Sequence, residues 1–97
     1  MAIPSDIYVY ELLTRPHAVT KASLGAVVLT VLDVRQAADM YRWTVLVSQE
    51  QAHRLRSIPW VMVPRQRGLM YQHGENLEFR DPVGGETWSV PVQSLIH

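Results

Sequence analysis

Cysteine is absent from the 97 residues, so the chain can form no disulfide, no thiolate nucleophile and no Cys-ligated metal site. A small domain without such staples has to find its stability in packing. Net charge is absent as well: nine Lys+Arg balance nine Asp+Glu, and no global field draws the chain onto nucleic acid or an anionic membrane. Long hydrophobic runs are missing. The most apolar stretch, Leu24 to Leu32, stops at Asp33, short of the ~18 to 20 residues a membrane-spanning helix needs. The first residues carry Asp6 and Glu11 with no basic segment ahead of an apolar one, so no secretory signal is read there and a cytoplasmic location is expected. Lysine is nearly absent too. Of the nine basic residues only Lys21 is not arginine, a bias we attribute first to a GC-rich bacterial or phage genome. There is no internal repeat, low-complexity tract or flexible linker, which leaves residues 1–97 as a single domain.

What is present is a folding composition, 47% apolar and 19% charged, with period-two patterning. From Asp6 to Leu13, Ile7, Val9, Glu11 and Leu13 fall on one side and Tyr8, Tyr10 and Leu12 on the other, which predicts a strand closed by Pro16. The valine-rich segment Ala26 to Val34 favours a second strand, with a helix from about Val19 to Leu32 as the alternative. Arg35 to Met40 reads as a turn into a strand over Tyr41 to Val47, where Trp43, Val45 and Val47 share a face. Ser48-Gln49-Glu50-Gln51 is a capping box that opens a short helix over about 48–57, with Ala52, Leu55 and Ile58 toward the core and Pro59 as its stop. Trp60 to Val63 then reads as a short strand, and Gly68 to Val92 as a three-stranded meander over Leu69–Gln72, Leu77–Arg80 and Glu86–Val92. Its turns lie at His73–Asn76 and Asp81–Gly85, and Pro91 marks an edge. The fold class is therefore β-rich α+β: a small, strongly curved antiparallel sheet or partial barrel of about six strands with one short helix.

No motif specifies a reaction. Four histidines, His17, His53, His73 and His97, include no pair at the spacing that focuses two imidazoles on one ion, and no metal or cofactor is expected. No serine lies in a nucleophile elbow, and the carboxylates of 75–86 surround exposed turns. The clearest anomaly is charge distribution. Residues 51–74 hold four arginines and no acid, whereas 75–97 hold one arginine and four acids. Arg54, Arg56, Arg65 and Arg67, with Trp60 for stacking, make a candidate anion or nucleic-acid site. The competing reading is a solvated face, or arginines paired with Glu75, Glu78, Asp81 and Glu86. Surplus apolar surface is the more informative feature. If 26–34 is extended, Val27, Leu29 and Val31 point one way and Val28, Leu32 and Val34 the other, more than one helix can cover. The leading expectation is a homodimeric binding or interaction module without chemistry of its own, with Val27, Val28, Leu29, Val31 and Leu32 at the interface. The rival is a nucleic-acid- or anion-binding protein. A third reading is a small-ligand pocket lined by Trp43, Tyr71 and Trp88.

Overall fold

Alternation along Ile7–Thr14 forms β1, and because β1 lies in the middle of a sheet, apolar residues on both of its faces are buried: Ile7 and Val9 on one, Tyr10 and Leu12 on the other. A computed structural model describes residues 6–16, 19–81 and 84–95. After β1 come α1 (Lys21–Gly25), β2 (Thr30–Ala37), β3 (Met40–Ser48), α2 (Gln49–Leu55), β4 (Met62–Leu69), β5 (Tyr71–His73), β6 (Asn76–Arg80), β7 (Thr87–Pro91) and a closing 3-10 turn, Val92–Leu95. The strands form two antiparallel sheets, a four-stranded one in the order β2-β3-β1-β4 and a three-stranded one in the order β5-β6-β7. The fold is the small β-rich α+β globule that the patterning predicts, its strands shared between two sheets that do not close into a barrel.

Two hydrophobic clusters hold the layers together. One face of the large sheet, with Tyr10, Leu12, Trp43, Val45 and Val47, packs against Leu24 of α1 and Leu55 of α2. The opposite face contributes Ile7, Val9 and Leu46 to a cluster completed by Met70, Leu77, Phe79 and Val90 of the small sheet and its connection. The chain passes from one sheet to the other at Met70, whose backbone N–H donates to the Ile7 carbonyl at 2.8 Å and whose side chain is 6% exposed. Gly68 makes the close approach possible. A Cβ at that position would overlap the Phe79 ring, so only glycine lets the small sheet seat against β4.

Several boundaries differ from those read in the sequence. The strand expected from Ala26 begins at Thr30, because Thr20 and Ser23 form a capping box that starts α1: Thr20 Oγ1 accepts from Ser23 N–H at 3.1 Å, and Ser23 Oγ accepts from Thr20 N–H at 2.9 Å. That single turn buries Leu24 completely and brings Val28 to 4% exposure. The strand expected at Trp60–Val63 begins instead at Met62 and runs through Pro64 to Leu69, so Arg65 and Arg67 stand on a strand rather than in a loop. Pro64 is tolerated because β4 is an edge, where a missing donor need not break a ladder. The turn expected over Arg35–Met40 shrinks to Ala38 and Asp39, because β2 continues to Ala37 in register with Met40, and Leu69, expected in the meander, ends β4. The Ser48 capping box is formed, with Ser48 Oγ accepting from Gln51 N–H at 3.2 Å and Gln51 Oε1 accepting from Ser48 N–H at 3.0 Å. Gly74 turns β5 into β6 at a φ of 64°. Pro82 and Val83 of the next turn, together with His17 and His97, lie outside the described residues.

Candidate functional site

The arginine-rich segment is divided by the large sheet. Arg65 stands opposite Glu11 in the register of β1 with β4, and Arg67 is the extra residue of a bulge between the Val9–Gly68 and Tyr10–Gln66 pairs. A bulge re-aims its side chain. Arg67 donates to Glu11 Oε2 at 3.0 Å and also to Asp81 just past β6, which is 5% exposed. Arg42 Nε lies 3.5 Å from Glu11 Oε1. The Arg67 guanidinium is held above the usual arginine value, first by its hydrogen bond to Asp81, against the opposing effect of burial, with the charges of Asp81 and Glu11 adding to it. A cavity of about 380 Å³ opens beside these groups, but Glu11 and Asp81 line it together with Arg42, Arg65 and Arg67. Three arginines thus share the region with two carboxylates, and Arg67, bonded to both carboxylates, ties the two sheets together.

Arg54, Arg56 and Trp60 belong to the other side, where α2 packs. Arg54 is paired with Glu50 one helical turn earlier at 2.6 Å, and Trp60 packs on the first cluster. The four arginines do not converge on one surface. Nor do the three aromatic residues of the suggested pocket. Trp43 is buried in the first cluster, while Tyr71, 53% exposed, and Trp88 line a separate cavity of about 300 Å³ on the small sheet. Of the candidate interface residues, Val28 belongs to the core, Val27 and Val31 pack half-buried on the first cluster, and Leu29 and Leu32 on the second. Next to them Val34 keeps 45% of its surface exposed on β2, an edge strand. Among the described residues no three His, Asp or Glu side chains are grouped to hold a metal, and no helix is long and apolar enough to cross a membrane.

A second convergence was not anticipated. Tyr8 and Tyr10 share one face of β1, and Gln66 of β4 is paired opposite Tyr10. Across from them α2 presents Gln49, Ala52, His53 and Arg56, the i, i+3, i+4, i+7 stripe of one helix face. Between these elements lies a cleft of about 190 Å³. Tyr10 is 8% exposed, and the small Ala52 side chain keeps the space open. No Asp or Glu lines it. None of the side-chain hydrogen bonds or ion pairs among the described residues uses Tyr8, Tyr10, Gln49, His53, Arg56 or Gln66. The signals were in the sequence as the period-two tyrosines and the helical spacing of 49, 53 and 56. What was missing was the pairing of β1 with β4 that brings them together.

No protein-family model matches this chain, and comparison with curated proteins and with solved structures finds no significant match. The functional reading therefore rests on these surfaces.

Proposed function

We propose that the chain is a small interaction module that works as a twofold homodimer, joined edge to edge through β2, and carries no chemistry of its own. The observation behind this reading is the self-complementary sequence around Val34. In an antiparallel pair of β2 strands centred on Val34, Asp33 of each copy faces Arg35 of the other, and the two exposed valines meet at the axis. Asp33 and Arg35 already lie 2.8 Å apart within one chain, so the four side chains would close a ring of alternating charge. The edge itself supports the choice. Among the edge strands β4 contains Pro64 and Gly68, β5 has three residues and β7 ends at Pro91, whereas the eight residues of β2 include neither proline nor glycine. The hydroxyls of Ser23, Ser48, Ser57 and Ser94 are taken up in local caps and turns, and Ser89 stands on β7.

Light scattering over a concentration series, with sedimentation equilibrium, tests the reading. The wild-type chain should dimerise. Asp33→Arg or Arg35→Asp alone sets like charges opposite each other and should weaken the dimer about tenfold, while the double exchange should restore it. A monomer at every concentration overturns the proposal.

A further inference from the structure

We infer that the cleft between α2, β1 and β4 is a binding site for a phosphate monoester group. It lies at the β4 side of the large sheet, away from β2, and stands independently of the dimer. Gln49 and His53 stand on α2, the tyrosines on β1 and Gln66 on β4, while Arg56 is the residue that caps the C-terminal end of α2. Arg56 brings a fixed positive charge and a two-point donor fork. His53, one turn earlier on the same stripe, adds a ring N–H, and the phenols of Tyr8 and Tyr10 add two hydroxyl donors. Gln49 and Gln66 supply amides at the rim.

Two features define the ligand's chemistry. The first is charge. With no carboxylate in the lining and no ion pair on Arg56 among the described residues, the cleft is locally cationic within a chain whose net charge is zero, so the complementary guest is an anion. The second is the number and spread of donors. A carboxylate offers two oxygens in one plane, whereas the terminal phosphate of a monoester offers three in a pyramid, which suits donors arriving from a helix on one side and two strands on the other. A buried tyrosine usually engages its hydroxyl. Tyr10 is 8% exposed as a residue, yet its hydroxyl makes no protein hydrogen bond among the described residues and is not among the buried polar atoms, so it opens to solvent at the cleft and can donate to a guest. The volume of about 190 Å³ admits a phosphate with a small substituent and excludes a folded polymer strand.

Titration of the full chain, followed by backbone amide resonances and calorimetry, uses four probes: inorganic phosphate, adenosine monophosphate, acetate and a single-stranded oligonucleotide with no terminal phosphate. Inorganic phosphate should bind saturably in the millimolar range and shift the amides of residues 8, 10, 53, 56 and 66. Tighter binding of the nucleotide assigns the guest to an organic monoester, and equal binding assigns it to free phosphate; both support the site. Arg56→Ala should weaken phosphate at least ~10-fold, Tyr10→Phe by a smaller factor, and Arg54→Ala, which removes an equal charge outside the cleft, should leave it unchanged. Absence of saturation, equal losses in Arg54→Ala and Arg56→Ala, or acetate binding as tightly as phosphate overturns the inference. So does an oligonucleotide that binds where phosphate does not. Arg56 is exposed, and an unchanged thermal midpoint in its variant separates lost binding from lost folding.

Discussion

The indole of Trp43 donates its Nε1–H to Thr14 Oγ1 at 2.8 Å across the β1–β3 pair, in a place where Trp43 is 4% and Thr14 0% exposed. Tyr41 meets the same indole edge-on, with ring centroids 6.1 Å apart. The bond satisfies the one polar atom of the largest side chain in the first cluster and fixes the end of β1.

Thr14→Val keeps the shape of that side chain and removes the acceptor, leaving a buried N–H without a partner. The cost expected from a lone buried donor is about 1 to 3 kcal/mol, measured as a lower urea midpoint at unchanged slope. Thr14→Ser retains the acceptor and should lose less. Equal stability of the valine variant and the wild type would show that the bond contributes nothing net.

Gly68→Ala places a methyl group where the Phe79 ring sits. Overpacking of this kind typically costs about 1 to 3 kcal/mol, because the ring or the strand has to move. Combining it with Phe79→Leu should recover part of the loss, so the two changes should be less than additive in a double-mutant cycle. Full additivity would place the damage somewhere other than this contact.

Arg67 joins Glu11 of the large sheet to Asp81 of the small one, with 19% of its own side chain exposed. Arg67→Ala should destabilise by more than the ~1 kcal/mol of a surface pair and less than the ~3 to 5 kcal/mol lost when a fully buried pair is broken. Arg65→Ala, on an exposed position of the same strand, should change stability by no more than about 0.5 kcal/mol. Because the folded-state value of Arg67 is raised, the guanidinium stays charged throughout neutral and mildly alkaline pH, and its side of the contribution is lost only as pH rises through strong alkali. Substitution at 67 should therefore lower the urea midpoint by the same amount at pH 6 and pH 9.

How far the residues announced this arrangement depends on where the deciding physics acts. The Ser48 capping box and the alternation of Trp43, Val45 and Val47 are local, and both are found as read. The Thr20–Ser23 box is equally local, but the valines that follow it argue for a strand, and burial of Leu24 settles the competition in favour of a helical turn. The short strand read at Trp60 to Val63 stops ahead of Pro64, since nothing nearby shows that Met62–Leu69 will lie at a sheet edge, where a proline is tolerated. Asp81 is among the partners the sequence offers the four arginines, but that it takes Arg67, and that Glu11 joins them, is decided by sheet pairing. The cleft is the extreme case. Its tyrosines, its helix stripe and Gln66 come from three segments whose meeting is decided by sheet order alone.

The central place of β1 also governs how the molecule is made. The strand precedes both of its partners along the chain, and one of its two ladders is completed only by Met62–Leu69. On the ribosome, β1 can join β3 as a hairpin-like intermediate while its other flank stays open until those later residues emerge. Chaperone capture or aggregation of nascent chains should be greatest in that interval, and should subside once residue 69 clears the exit tunnel.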